Sequence, residues 1–362
     1  MSDTRSLLID AAARLFADLR TREVSAAAER GEWPAALWSA VENAGLSAAA
    51  RSQERGGPGA SFGDVGALLR VAGAFAVPIA LAETMLAEQM LAAAQLAPLS
   101  GPVSVGPVML SDRLVLSRRS DAWSLAGALH RIPWGRDVAA VVVIASLEGK
   151  PATVIVERPR MERKDRNYAH EPRDDLRLDD CILADDAVGE PGHGWDADTL
   201  RFRGALFRCL QMTGALERIL ALTVAYAKDR VAFGRPIGKF QAVQQQIAVL
   251  ATQVAAASAA AQAAADAIEN SDARFAIGAA KARVGEAAGI AAGIAHQVHA
   301  AMGFTHEHTL HLNTRRLWSW RDEFGNEADW FAWVGQEAAR VGGESLWAFL
   351  TAAGSSSSIS LR

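Results

Sequence analysis

The sequence predicts a mainly α-helical protein with a small β domain at its centre. Apolar residues recur at three- and four-residue steps at both ends of the chain, from Leu7 and again from Asp196. Between about 101 and 190 this pattern gives way to short β-prone runs separated by turn residues. Strands and helices do not alternate along the chain, which argues against an α/β enzyme. At 362 residues the chain is long for one core. The changes in character place an N-terminal helical domain at 1–100, a middle β domain at 101–193 and a C-terminal helical bundle at 194–362.

In the first region Leu7, Leu8, Ala11, Leu15 and Leu19 line one helical face. Pro34 suits the first turn of a helix over Ala35 to Glu42, and Gly45 marks its stop. Arg55 to Gly59 reads as a loop. Ser61 to Leu96 is apolar and helix-prone, with a break at Pro78.

In the second region the runs Arg113 to Ser117, Ala122 to Leu125, Val138 to Ala145 and Ala152 to Val156 predict strands of an antiparallel sheet. Asp174 to Val188 predicts a last strand and its exit. The charged stretch Glu157 to Asp175 is expected to be a solvated loop. Gly189 to Gly194 is expected to be a hinge. Beyond it, long helices are expected over Asp196 to Arg230, Gln241 to Asn270 and Asp272 to Met302, with Pro236 and Gly238 in the first turn between them.

Composition narrows the function. A net charge of -4 lacks the basic footprint of a nucleic-acid binder. Two cysteines, Cys181 and Cys209, make no disulfide framework, so a reducing, cytoplasmic setting is expected. The N-terminal segment carries Asp3 and Asp10 and lacks the pattern of a signal peptide. The Ala-rich run Ala255 to Ala267 is broken by Ser258, Gln262 and Asp266, and no membrane span is expected.

Three stretches carry a family resemblance. Tyr226-Ala-Lys-Asp-Arg-Val-Ala-Phe-Gly-Arg-Pro-Ile-Gly-Lys-Phe-Gln241 resembles the helix-turn-helix signature of acyl-CoA dehydrogenases. Gln297-Val-His-Ala-Ala-Met-Gly-Phe-Thr-His-Glu307 resembles that family's Gln-x-x-Gly-Gly-x-Gly-Phe turn. Trp123 to Trp134 stands in the place of its Trp-Ile-Thr strand. The resemblance covers nearly the whole chain. It implies an N-terminal helical domain, an antiparallel β-barrel-like domain and a C-terminal four-helix bundle. It also implies FAD as cofactor, an acyl-CoA thioester as substrate and an electron-transfer partner. Arg230 would reach the flavin nucleotide of a neighbouring subunit, which implies a homodimer or tetramer, or assembly with a second acyl-CoA dehydrogenase-like subunit. Phe233 would lie near the cofactor and Gln241 would be a polar contact. Gln297 and the backbone from Ala300 and Ala301 to Gly303 would hold the ADP portion. Arg131, Ile132 and Pro133 align with the triplet that flanks the flavin ring.

Several positions depart from the family pattern. Ala300-Ala301 replaces the Gly-Gly pair, and alanine disfavours positive φ. Gly106 to Ser111 is a shortened form of the family's Thr-Glu-Pro-x-x-Gly-Ser loop. Pro133 has no backbone N–H to donate. The catalytic glutamate is expected at one of two positions. Counting from Phe304 reaches Phe324, and counting back from Phe233 reaches Gly204; neither is acidic. Glu323 is the adjacent acid and the candidate base, weighed against being a solvated helix-end charge.

Other motifs yield less. His306-Glu-His-Thr-Leu-His311 lacks the spacing of a zinc site. Gly234 to Lys239 mimics a phosphate loop with the wrong spacing. Trp318, Trp320, Trp330 and Trp333 read as core or interface, or as the lining of an acyl site. Two functions remain: FAD-dependent α,β-dehydrogenation of an acyl-CoA, or a non-catalytic partner subunit that completes a cofactor or substrate site.

Overall fold

In the computed structural model, residues 3–119, 122–268 and 273–352 are described. They form two compact units: 1–65 with 77–204, and 66–76 with 205–362. The protein is mainly α with a curled central sheet, the class the sequence predicts.

The first unit opens with α1 (Asp3–Leu19), α2 (Arg22–Arg30) and α3 (Ala35–Asn43). Thr21 caps α2, its hydroxyl accepting from Val24 N at 3.3 Å. The N-terminal part of α4 (Phe62–Ala74) and all of α5 (Leu81–Ala93) follow, on either side of Pro78 as expected. Almost every residue of α5 is buried. Its charges are therefore paired: Glu88 accepts from Arg51 Nε at 3.0 Å.

The sheet runs β1-β4-β2-β3-β7-β6, with β5 added on β4. The strands are β1 (Val103–Gly106), β2 (Arg113–Arg119), β3 (Ala122–Pro133), β4 (Ala140–Leu147), β5 (Lys150–Glu157), β6 (Met161–Arg163) and β7 (Arg173–Leu183). Most ladders are antiparallel. The exceptions are β1 on β4, which is parallel from Val103↔Ala140 to Gly106↔Val143, and one parallel bridge of β2 on β4. Strand β1 escapes sequence reading because four residues are too few to show alternation. It is held at its start by Thr84 Oγ1, which accepts from Val103 N at 3.0 Å.

The stretch Glu157 to Asp175 corrects its expectation of a solvated loop. It contains β6, and Asn167, Glu171, Arg173 and Asp174 are buried. Glu171 takes Asn167 Nδ2 at 2.9 Å and Arg173 at 3.0 Å, while Asp174 takes the Arg136 guanidinium. Charge counting sees exposure where the structure pairs charges inward.

The second unit is helical. It holds the end of α4 and most of α6 (Ala197–Asp229), then α7 (Gln241–Ala267), α8 (Arg274–His299), α9 (Leu310–Trp320), α10 (Glu327–Val341) and α11 (Gly343–Ala352). The expected helix limits at Asn270 and Asp272 lie outside the described residues. Between α6 and α7 the chain makes a hairpin of β8 (Val231–Ala232) and β9 (Arg235–Pro236). Helices α4 and α6 touch through glycines. A Cβ on Gly73 would lie 1.9 Å from Gln211 O, and one on Gly214 would lie 1.8 Å from Arg70 O, so any side chain would force the helices apart. Asn313 secures the same crossing, its Nδ2 donating to Gly73 O and Ala74 O at 3.1 Å.

Helix α7 buries Leu250, Val254, Ala257, Ala261 and Ala264, one stripe at helical spacing, and packs along α8. By length and composition it could cross a membrane, with a mean hydropathy of 1.5 over its most apolar window, of which 28% is buried. The alanines keep hydropathy high across the polar breaks, and a core helix passes the same test of length and composition, so the expectation of no membrane span is not overturned.

Candidate cofactor and active site

The end of α6 and the end of α8 meet through an aromatic stack. The Tyr226 ring stacks on the His299 ring, with centroids 4.5 Å apart and planes 24° from parallel. This joins the two signature stretches that sequence reading takes separately. Arg230 follows the last residue of α6, one turn beyond Tyr226, and Ala300 follows His299 directly. Arg230 is exposed, and among the described residues no carboxylate engages its side chain. Phe233, at the hairpin tip, is 94% exposed. Gln241 and Gln297 are exposed.

Backbone strain collects at these positions. Phe233 has φ 50° and Ala300 has φ 50° with ψ −139°. Both are conformations that glycine adopts freely and other residues adopt at a cost. Ala300 thus takes the glycine geometry without the glycine, as the Gly-Gly comparison implies for this turn. The turn Ala300–Phe304 is 3₁₀-helical, and Gly303 is buried within it. A Cβ on Gly303 would come within 3.2 Å of His296 Nδ1 and 3.0 Å of His299 Cβ.

Three imidazoles support this turn. His296 stacks on Phe304 at 4.3 Å and hydrogen-bonds Thr314 Oγ1 at 2.8 Å. His299 lies 4.6 Å from the His308 ring, and its Nδ1 faces Ala295 O at 2.7 Å. Burial pulls the pKa of all three below the ordinary value, and neighbouring positive charge adds to this at His296 and His308. They stack as neutral rings at neutral pH.

The turn after α9 holds the residues considered for the catalytic base. Glu323 is buried at 5% exposure, and its Oε2 accepts from Arg208 Nε at 2.6 Å. Arg208 also donates to Gln211 Oε1 at 2.5 Å and lies over the Trp320 ring. Phe324 is buried with φ 57°, and its carbonyl accepts from Trp330 Nε1 at 3.1 Å. From the other side, Lys281 Nζ donates to Arg321 O at 2.6 Å and Gly325 O at 2.7 Å. Lys281 is fully buried, and desolvation lowers its pKa to about 8. Arg208 and Lys281 were missed in the sequence. The available signal was a lone charge inside an apolar helical run: Phe207-Arg208-Cys209-Leu210, and Ala280-Lys281-Ala282.

In the first unit, a β-bulge between Leu129 and Ile132 sets His130 and Arg131 opposite Asp175. Arg131 has φ 57°, and its N–H is taken by Asp175 Oδ1 at 2.9 Å. Ile132 and Pro133 are buried, and Pro133 O accepts from Ser104 Oγ at 2.5 Å. Asp112 orients His130, accepting from its backbone N–H and facing its Nδ1, both at 2.7 Å. Both cysteines are free.

A helical start, a curled sheet and a long-helix C-terminal region make up the fold, with Arg230 exposed just past the end of α6. Residues 192–321 match the family described as acyl-CoA dehydrogenase, C-terminal domain. The acyl-CoA dehydrogenase IpdE2 of Mycolicibacterium smegmatis is 29% identical over 329 residues, 87% of this chain and 93% of that protein. The ChsE4-ChsE5 complex from Mycobacterium tuberculosis shares the fold at TM-score 0.86 and 20% identity, covering 95% of this chain and 99% of that one. Butyryl-CoA dehydrogenase from Megasphaera elsdenii does so at TM-score 0.81 and 17% identity, over 94% and 99%. Residues 192–321 are thus similar to an acyl-CoA dehydrogenase C-terminal domain, and over most of its length the chain resembles proteins of that superfamily.

Proposed function

We propose that the chain is a subunit of an FAD-dependent acyl-CoA dehydrogenase whose proton-abstracting carboxylate comes from a second, related subunit. The observation that carries this reading is the Arg208–Glu323 contact at 2.6 Å. A base must be free to reach the α proton, and Glu323 is buried against a guanidinium. Breaking a buried pair leaves an uncompensated charge. Glu323 is then a carboxylate that holds its turn.

The residues at the α6 and α8 ends fit a dinucleotide. Arg230 offers a fixed fork for pyrophosphate, and Phe233 offers a flat apolar face. Gln241, Gln297 and the backbone of Ala300, Ala301 and Gly303 add polar contacts. When bound, FAD supplies the hydride acceptor for the β carbon of the thioester. Arg131, Ile132 and Pro133 contribute shape more than donors, since Asp175 occupies the Arg131 N–H and Pro133 has none. The proposed division of labour follows 1–100, 101–193 and 194–362.

Assembly is supported by two observations. Helix α7 leaves most of its apolar window unburied, with Val249 47% exposed, and a neighbouring subunit would cover it. The ChsE4-ChsE5 structure is itself a complex of two proteins.

Glu323→Gln tests the reading. In an active assembly it should leave acyl-CoA turnover within about threefold, because glutamine keeps an acceptor for Arg208. A loss of about 10²–10⁴ with flavin still bound would make Glu323 the base and overturn the proposal.

A further inference from the structure

Arg203, near the start of α6, is half-buried, and its guanidinium lies over two aromatic rings of the same unit. The Phe62 centroid is 5.9 Å away and the Trp195 centroid 5.7 Å away. Contacts of this kind fix the plane of the guanidinium and exclude water from its faces, leaving its N–H edge to make hydrogen bonds. Among the described residues, no carboxylate pairs with Arg203 and no hydrogen bond engages its side chain. None of its nitrogens is sealed from solvent.

This sets Arg203 apart from the other shielded arginines. Arg51 has Glu88, Arg136 has Asp174, Arg173 has Glu171 and Arg208 has Glu323. A cation removed from water without a counter-charge is costly, and burial accordingly lowers the Arg203 pKa. The cost falls when an anion arrives at the free edge. A single guanidinium in a flat aromatic setting matches a planar, singly charged group with two oxygens. Asp196, whose carboxylate caps Thr199 N at 2.7 Å, and Asp198 lie nearby in the chain and disfavour a multiply charged phosphate.

We propose that Arg203 is a carboxylate-recognising residue, and that the acyl group handled by this chain carries a carboxylate. The second half of this statement rests on the acyl-CoA reading above.

Calorimetry on the full chain tests it, with succinyl-CoA, butyryl-CoA and free glutarate as probes. The two thioesters have four-carbon acyl groups and differ in the terminal carboxylate. Succinyl-CoA should bind roughly ten- to a hundredfold more tightly, the yield of a charge-assisted pair. Arg203→Gln should remove that difference and leave butyryl-CoA binding unchanged. Arg203→Lys, which keeps the charge but loses the fork, should keep only part of it, and it carries the test if the glutamine variant does not fold. Equal binding of the two thioesters by the parent, or an equal loss of both in Arg203→Gln, would overturn the proposal. If neither thioester binds but glutarate does so through Arg203, the acyl-CoA reading fails and the carboxylate site stands. If glutarate does not bind either, both fail.

Discussion

Arg208 Nε donates to Glu323 Oε2 at 2.6 Å, and both side chains are buried in the helical unit. The contact joins the interior of α6 to the turn after α9. Removing one partner strands the other. Arg208→Leu should therefore destabilise the protein by about 3–5 kcal/mol, read from urea unfolding. Glu323→Gln should cost less, and Arg208→Leu with Glu323→Leu should recover part of the loss. A single Arg208→Leu variant within about 1 kcal/mol of the parent would show that the pair is not structural.

Ala300 sits at φ 50° and ψ −139°, where glycine is at ease. Ala300→Gly should stabilise the protein by about 1 kcal/mol, opposite to the usual effect of a glycine. It should also improve flavin retention. A lower urea midpoint would mean that the turn is not strained.

Arg230 is exposed at the end of α6 without a carboxylate partner among the described residues. Arg230→Ala should leave the melting temperature of the flavin-free chain unchanged. It should weaken FAD by about 1.5–3 kcal/mol, measured by equilibrium titration. Unchanged FAD affinity would assign Arg230 another role.

Periodicity made much of this fold legible. The stripe of α7 announces its helix because one face is buried and the other is not; α1 is also found, but it buries Ala12 and Phe16 while Leu7 and Leu19 of the expected face are exposed. Four β-prone runs located β2 to β5 within a few residues, except that β3 extends to Pro133. What escaped depends on partners distant in sequence. Strand β1 is defined by β4, and buried Asp174 by Arg136, 38 positions away. At the site, the motif residues were legible because their spacing is local. The Arg208–Glu323 contact spans 115 positions, and no local pattern could pair them.

His296, His299 and His308 have pKa values lowered below 6.5 in the folded protein. The unfolded chain therefore binds protons first as pH falls. Their contribution to stability is complete above about 6.5 and is lost as pH drops from there through the lower folded values. The urea midpoint should fall between pH 7.5 and 5.5, and a His296→Asn/His299→Asn variant should show a smaller fall. An equal fall in both proteins would place the acid sensitivity elsewhere.

The central claim concerns where the catalytic carboxylate comes from. The direct measurement is acyl-CoA-dependent dye reduction by the purified, FAD-supplemented chain, alone and after co-expression with a related acyl-CoA dehydrogenase-like subunit. The account predicts negligible turnover alone and strong turnover in the assembly, unchanged in kind when this chain carries Glu323→Gln. Full turnover by the chain alone, abolished by Glu323→Gln with flavin retained, would contradict it.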